Sequence, residues 1–305
     1  MSKRVSFARI LLKNRGEYAL LPSKVDPRKR RWQKRQVESA RTTKPSGFGS
    51  VALPGWERRL PERFVFEQFG DLREGNRGRE GPVLIGELAD SGERWILKPT
   101  NEGAVSKEII ASVVGRSLGL NVPPAAVVGQ GKKLMAASML VPVLRHAAPF
   151  SSRNPLHFGP DGPENVPNYW QQVALGDLLG DIDRKGGNWG VTPDGRRWDF
   201  DFSLSQEAYN FLGPDEPGWN RMRLKHMKQN LERKRQAISP EAFQRYLEPY
   251  RTLAENDPEK LYGWLGGVSD LGVILIVDGS LRDTLIASGR ANREAARLAL
   301  NEVGV

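Results

Sequence analysis

Two short stretches of the sequence carry the side chains that phosphoryl transfer needs. Residues 178–191 read LLGDIDRKGGNWGV, and residues 198–203 read WDFDFS. Asp183 and Asn188 have the spacing D-x-x-x-x-N, and Asp201 lies thirteen residues beyond Asn188. In such a set one carboxylate orients an acceptor hydroxyl and takes its proton, while an amide oxygen and a second carboxylate hold magnesium against the phosphates. The two stretches therefore favour a phosphoryl-transfer site.

The spacing matches that of a kinase catalytic loop. An isolated D-x-x-x-x-N occurs by chance in many proteins, but here it precedes a second acidic stretch across a hairpin that we expect residues 192–195 to turn. If residues 198–202 form a strand, Asp199 and Asp201 lie on one face and the aromatic residues between them on the other. Asp181 and Asp199 are the nearest alternatives to Asp183 as the base.

A lysine and a glutamate stand upstream in the order that this chemistry requires. Lys98 ends the predicted strand RWILK, and Glu108 lies on the predicted helix that follows. Such a pair aims the ammonium group at the α- and β-phosphates of a nucleotide. Alone, each would be an ordinary surface residue, but their order before Asp183 favours a functional pair.

Glycines between two strands offer a loop that could cover the phosphates. Gly75, Gly78 and Gly81 repeat at every third residue just before the strand of Lys98, whereas a second candidate, Gly47-x-Gly49, lies further upstream. We prefer the first, because glycines there let backbone amides approach phosphate. The same glycines could serve only as a turn.

The elements that must position these residues change in type along the chain. Residues 64–142 are predicted to form an antiparallel sheet with one helix at about 104–118, which Gly119 ends. Residues 145–168 contain five prolines and no clear periodicity. Helices are predicted after that, at about 169–180, 220–237, 240–255, 259–265 and 280–302. The prediction is an α+β, bilobal, protein-kinase-like fold with a small antiparallel-sheet N-lobe and a larger helical C-lobe.

Charge and composition divide the chain further. Residues 1–45 hold 14 Lys or Arg and three acids, whereas the remaining residues carry 32 basic and 33 acidic side chains. We therefore predict a basic N-terminal arm at 1–45, an N-lobe at 46–144, a Pro/Gly-rich connection at 145–168 and a C-lobe at 169–305. An arm of this charge suggests binding to nucleic acid, an anionic membrane surface or an acidic partner, although a solvated extension explains it equally well.

The composition also excludes several classes of protein. The chain of 305 residues is 39% hydrophobic and 27% charged, which allows a sizeable core. There is no cysteine, and three histidines lie far apart, so disulfides, thiolate zinc sites and Cys nucleophiles are excluded. No apolar run is long enough for a membrane span, and the N-terminus lacks a signal-peptide core, so we expect a soluble cytoplasmic protein.

Three stretches together resemble the HipA-like serine/threonine kinases, relatives of the protein kinase and phosphoinositide kinase fold. They are LLGDIDRKGGNWGV, the ILKP around Lys98, and KEIIASVVGRSLGLNVP around Glu108. The resemblance covers about residues 75–205. It implies an ATP- and Mg²⁺-dependent kinase in which Lys98 and Glu108 bind phosphate, Asp183 is the catalytic base, and Asn188 and Asp201 bind magnesium.

The remaining site predictions complete this picture. The family commonly has D-R-H where this chain has Asp183-Arg184-Lys185, but ordinary Ser/Thr kinases carry a lysine there that meets the γ-phosphate, so Lys185 is a catalytic candidate. The predicted ATP-binding set comprises Lys98, Glu108, Gly75, Gly78, Gly81, Met139 and Val141. Relatives act as toxins of toxin–antitoxin pairs or as bacterial effectors, which implies a Ser/Thr-bearing protein substrate, an antitoxin-like inhibitor, or delivery into a host cell.

Two other functions remain open at this point. A lipid or small-molecule kinase would use the same active-site parts, because the acceptor pocket and not these motifs decides the substrate. A pseudokinase scaffold that binds nucleic acid or an acidic partner through residues 1–45 belongs to another class. The complete set of five polar residues argues against the scaffold, because a degenerate kinase usually lacks at least one of them.

Overall fold

The structure is a computed structural model, and all of its described residues lie in one compact unit that spans Ser50–Val305. It describes residues 59–77, 82–99, 102–131, 133–141, 145–146, 166, 168–181, 188–191, 196–202, 204, 211–266, 268 and 280–305. The basic arm, Gly78, Gly81, Asp183 and Lys185 therefore lie outside the described residues.

A six-stranded sheet forms the first part of the described fold. Its strands are β1 Glu62–Val65, β2 Phe69–Arg77, β3 Pro82–Leu88, β4 Arg94–Pro99, β5 Ala125–Gln130 and β6 Lys133–Met139. They lie in the order β1-β5-β6-β4-β3-β2. Four of the five neighbouring pairs are antiparallel, but β1 pairs with β5 in parallel. The prediction of a fully antiparallel sheet is thus wrong at this edge, where the pairing joins segments about sixty residues apart.

The helix α1, Glu102–Ser117, connects β4 to β5 and packs on β5 and β6. Val105, Ile109 and Val113 are almost completely buried, as the predicted apolar stripe requires. Gly119 follows with a φ of +74°, a conformation that glycine adopts without steric cost. The predicted helix and its stop are therefore confirmed, and Glu108 lies on the buried side of α1.

Alternation along β4 directs its side chains to two different faces. Trp95 and Leu97 are buried in an apolar cluster with Phe64 and Phe69, and the aromatic rings of Phe64 and Trp95 meet edge to face with centroids 5.3 Å apart. Because successive strand residues point to opposite faces, Lys98 points to the other side, where α1 lies. The strand pattern thus sends Lys98 towards Glu108.

The remaining described residues include a small second sheet and five α-helices. The sheet contains β7 Arg145–His146, β8 Trp189–Val191 and β9 Arg197–Asp199, in that order and antiparallel. The helices are α2 Tyr169–Leu178, α3 Pro217–Ala237, α4 Pro240–Glu255, α5 Pro258–Tyr262 and α6 Leu281–Val303. The predicted α+β class, a sheet followed by a mainly helical part, is confirmed.

The helices predicted at about 240–255 and 259–265 are present, and each starts at a capping side chain. The hydroxyl of Ser239 accepts a hydrogen bond from Ala242 N at 3.2 Å, and the carboxylate of Asp257 accepts one from Glu259 N at 2.9 Å. In both helices proline occupies the first helical position, where a missing N–H costs nothing. Among the described residues, none of the helices combines the length and the apolar character that crossing a bilayer demands.

Candidate active site

Lys98 lies between two carboxylates. Its Nζ donates to Glu108 Oε1 and to Asp201 Oδ1, each at 2.8 Å. The three residues come from β4, from α1 and from the segment after β9, so the contact joins the sheet to the acidic stretch that follows the β8–β9 hairpin. The predicted Lys–Glu pair and one predicted magnesium ligand are thus brought together.

The surroundings of these charges change their protonation equilibria. Burial opposes the charge of Lys98, but the attraction of Glu108 and Asp201 outweighs it and raises the pKa of Lys98 above its usual value. Burial also raises the pKa of Glu108, and the ammonium of Lys98 only partly offsets this rise. The side chain of Glu108 is 9% exposed and that of Asp201 is 49% exposed, so the site is closed on the Glu108 side and open on the Asp201 side.

Asn188 and Asp201 are held against each other. Asn188 Nδ2 donates to the main-chain oxygen of Asp201 at 3.0 Å, and the main-chain N–H of Phe200 donates to Asn188 O at 2.9 Å. Asp201 has a φ of +59°, a conformation that a non-glycine residue adopts only when its surroundings impose it. The two residues predicted to bind magnesium are therefore adjacent.

The prediction that Asp199 and Asp201 share one strand face is wrong. Strand β9 ends at Asp199, and the positive φ of Asp201 turns the chain before a second alternation can occur. Asp199 is buried and accepts two hydrogen bonds from the guanidinium of Arg197, at 2.5 and 3.0 Å. Because both of its oxygens are used in a buried ion pair, Asp199 is a poor alternative to Asp183 as a base.

The donor set around Asp201 fits a magnesium ion that also binds a nucleotide. Among the described residues, no cluster of three or more His, Cys, Asp or Glu side chains could hold a metal. Magnesium does not need such a cage, since it usually binds one or two protein oxygens together with phosphates and water. The carboxylate of Asp201 and the amide oxygen of Asn188 supply hard ligands of this kind.

The other predicted ATP-binding residues are not all brought to this place. Gly75 lies within β2 and not in a turn, because the strand continues to Arg77. The side chain of Met139 packs in the apolar cluster with Trp95, on the face of the sheet opposite to Lys98. Val141 is half-buried just after β6. The structure thus unites Lys98, Glu108, Asn188 and Asp201, but separates the Met139 side chain from them.

Arg197 and its partners Asn121 and Asn168 were not predicted from the sequence. Arg197 N donates to Asn168 Oδ1 at 2.9 Å, and Asn121 Nδ2 donates to Arg197 O at 3.1 Å. Arg197 follows Gly195 and Arg196 in a stretch that is typical of an exposed turn. No local pattern distinguishes a buried arginine from an exposed one at such a position.

Comparisons with known proteins bear on the fold of this chain. No family model matches the chain, and no curated protein sequence matches it. Among solved structures, a crystal structure of a Helicobacter pylori proinflammatory kinase, CtkA, matches 80% of this chain and 99% of its own, with 14% identity and a TM-score of 0.48. So low an identity assigns no residue of this chain to a role. The chain is similar in fold to that kinase.

Proposed function

We propose that this protein is an ATP- and Mg²⁺-dependent kinase that transfers the γ-phosphate to a Ser or Thr hydroxyl of a protein. The observation that carries the proposal is the position of Lys98, whose ammonium is held at 2.8 Å by both Glu108 and Asp201. A lysine fixed in this way beside an exposed carboxylate suits a site that receives a polyphosphate and its metal ion.

Each residue of this group has a separate task in the proposed reaction. Glu108 is buried and orients Lys98, whose ammonium binds phosphate oxygens of the nucleotide. Asp201 and Asn188 would hold magnesium, which, when bound, neutralises charge on the phosphates and keeps them in line. Because Lys98 is already charged and oriented, little reorganisation is needed when the phosphates arrive.

The acceptor side of the reaction rests on the sequence. Asp183 would accept the proton of the acceptor hydroxyl, and Lys185 would meet the γ-phosphate during transfer. Both residues fall between Asp181 and Asn188 in the sequence, outside the described residues. An in-line transfer from nucleotide to hydroxyl would require them to lie beside the metal-binding pair.

Incubation with γ-labelled ATP, with and without magnesium, tests the activity. The wild-type protein should label a generic Ser/Thr protein substrate or itself, and Asp183→Asn should retain ATP binding while it loses most turnover. Lys98→Met should lose most activity, because it removes the ammonium that binds the phosphates. Lys133→Met, which removes an exposed lysine from β6, is its matched control and should keep full activity. Magnesium-independent labelling, or full labelling by Asp183→Asn, would contradict the assignment.

The acceptor class is tested in the same assay. Phosphoamino-acid analysis should find phosphoserine or phosphothreonine in protein, whereas labelled lipid in phosphoinositide vesicles, or a labelled small molecule, would identify a different kinase class. Binding of ATP without any transfer would favour a scaffold. If the protein is a HipA-like toxin kinase, its expression in bacteria should arrest growth, and Asp183→Asn should relieve the arrest.

A further inference from the structure

Arg197, at the start of β9, uses both main-chain polar groups in contacts with distant residues. Its N–H donates to Asn168 Oδ1 at 2.9 Å, and the same asparagine returns a hydrogen bond from Nδ2 to Arg197 O at 3.0 Å. Asn121 Nδ2 donates to Arg197 O at 3.1 Å, and Gln172 Nε2 also donates to it, at 3.5 Å. This strand end is therefore fixed to the residue before α2, to α2 itself and to the turn before β5.

The side chain of Arg197 is enclosed as well. The centre of its guanidinium lies 4.7 Å from the ring centroid of Tyr169 and 4.4 Å from that of Trp189, and two of its nitrogens bind Asp199. The side chains of Arg197 and Asp199 are 4% and 9% exposed. The charge is thus covered by two aromatic rings and neutralised by one carboxylate.

We name this arrangement the Arg197 cluster; it consists of Arg197, Asp199, Asn121, Asn168, Tyr169, Gln172 and Trp189. Three of its members, Trp189, Arg197 and Asp199, lie between the two candidate metal ligands along the chain. Asn188 directly precedes Trp189 on β8, and Asp201 follows Asp199 by two residues. Asp199 N also donates to Asn121 O at 3.2 Å, so the strand that leads to Asp201 is fixed to the body at both of its ends.

Stability alone gives no reason for this arrangement. A buried ion pair is often no better for stability than apolar side chains of the same size, because both charges lose their water. Asn168 also holds a φ of +60°, and within the described part of the chain it shares a positive φ with only one other non-glycine residue, Asp201. Strained residues of this kind persist where the surroundings impose them, and they concentrate at functional sites.

We propose that Arg197 is a positioning residue for the metal site: through the Arg197 cluster it holds the β8–β9 hairpin so that Asn188 and Asp201 keep the separation and orientation that bind magnesium. The inference rests on the proposed function. It predicts an effect on the metal, because residues that orient metal ligands typically change metal affinity 10- to 100-fold when they are replaced.

Binding of a fluorescent ATP analogue at increasing Mg²⁺ concentration tests the proposal. Arg197→Lys keeps the charge but loses the two-pronged contact with Asp199, and it should raise the magnesium concentration for half-maximal binding by about 10- to 100-fold. Turnover should recover at saturating magnesium. Asn168→Gly removes both hydrogen bonds to Arg197 while glycine tolerates the φ of +60°, so it should fold and shift the midpoint in the same direction by a smaller factor.

Arg223→Met is the matched control. Arg223 is also buried, on α3, but its hydrogen bonds go to Gly213 O, Pro214 O and Asn220 and not to the site. It should lower the melting temperature and leave the magnesium midpoint unchanged. If both Arg197→Lys and Asn168→Gly bind with the wild-type midpoint, Arg197 is only structural and the inference is overturned. If the wild type shows no magnesium-dependent binding, the proposed function fails first and the inference fails with it.

Discussion

Asp199 and Asp201 stand two residues apart and each pairs with one cation, yet their surroundings are opposite. Asp199 is 9% exposed and binds Arg197 through both oxygens. Asp201 is 49% exposed, binds Lys98 through Oδ1, and lies where α1, β4 and the β8–β9 hairpin meet. The chain therefore builds one closed ion pair and one open ion pair from the same short sequence.

The difference in exposure distinguishes a carboxylate that stabilises the fold from one that can bind a ligand. A carboxylate that is buried and accepts hydrogen bonds at both oxygens is not available to a ligand. It can only hold its neighbours in place. A carboxylate that remains half in water beside a fixed ammonium can exchange water for a metal ion at little cost. Exposure and the number of occupied oxygens, more than residue type, distinguish the two roles.

The largest expected effect is on activity and comes from the open pair. Asp201→Asn keeps the size of the side chain but removes the charge that would bind magnesium, so phosphotransfer should fall by about 10²- to 10³-fold. The melting temperature should change little, because Asp201 is half-exposed. Initial rates with labelled ATP and a thermal melt measure both quantities. If Asp201→Asn lowers the melting temperature but transfers phosphate at the wild-type rate, the contrast between the two aspartates is wrong.

The closed pair should respond in the opposite way. Asp199→Asn leaves the buried guanidinium of Arg197 without its counter-charge, so the free energy of unfolding should fall by about 3–5 kcal/mol. Urea unfolding followed by circular dichroism measures this loss. If Asp199→Asn unfolds at the wild-type urea concentration but loses transfer even at saturating magnesium, the roles of the two aspartates are exchanged.

The open pair should also show its charge in the alkaline range. Because the pKa of Lys98 is raised above the usual 10.5, the stability that Lys98 contributes is fully present below pH 10.5 and is lost as the pH rises through the folded-state value. The stability difference between wild type and Lys98→Met should therefore shrink above pH 10.5, by up to about 1.4 kcal/mol for each pH unit. Urea midpoints at pH 9.5, 10.5 and 11.5 check the trend. Other groups titrate in both proteins, so their contributions cancel in the difference. A difference that stays constant to pH 11.5 would mean that the pKa is not raised.

The smallest effect concerns a buried hydroxyl for which the described residues supply no hydrogen-bond partner. The hydroxyl of Tyr262 is fully buried and has no hydrogen-bond partner within the described part of the chain, and burial raises its pKa. Tyr262→Phe should therefore keep or raise the free energy of unfolding, by about 1 kcal/mol. The same urea titration compares this variant with Asp199→Asn. Tyr262→Phe removes a buried polar group, whereas Asp199→Asn leaves a buried charge without its partner. Marked destabilisation by Tyr262→Phe would show that the hydroxyl has a partner.

Much of the candidate site could be predicted because its members stand at recognisable points of local structure. Lys98 is the last residue but one of a strand whose alternation sends it to the helix side, and Glu108 lies beside the apolar stripe of the helix that starts a few residues later. The capped helix starts at Ser239 and Asp257 are equally local. These features depend on residues within one or two turns or one strand, so periodicity and capping are enough to find them.

Other features depend on contacts between distant segments, and no local pattern reports them. The parallel pairing of β1 with β5 joins Glu62 to Ala126, and it replaced the expected antiparallel edge. Met139 pairs with Trp95 and therefore lies on the face opposite to Lys98. This register between β6 and β4 is not encoded by the residues near Met139.

The sequence by itself determined the order of elements, the helix caps and the pair of Lys98 with Glu108, because hydrophobic periodicity and short-range hydrogen bonds specify them. Only the tertiary structure decided that Asp199 is closed and Asp201 open. That decision is made by Asn121, Asn168 and Lys98, which stand between 29 and 103 residues from their hydrogen-bond partners. Burial and charge pairing are properties of the packed molecule, so two aspartates in one short motif become chemically different only after the chain has folded.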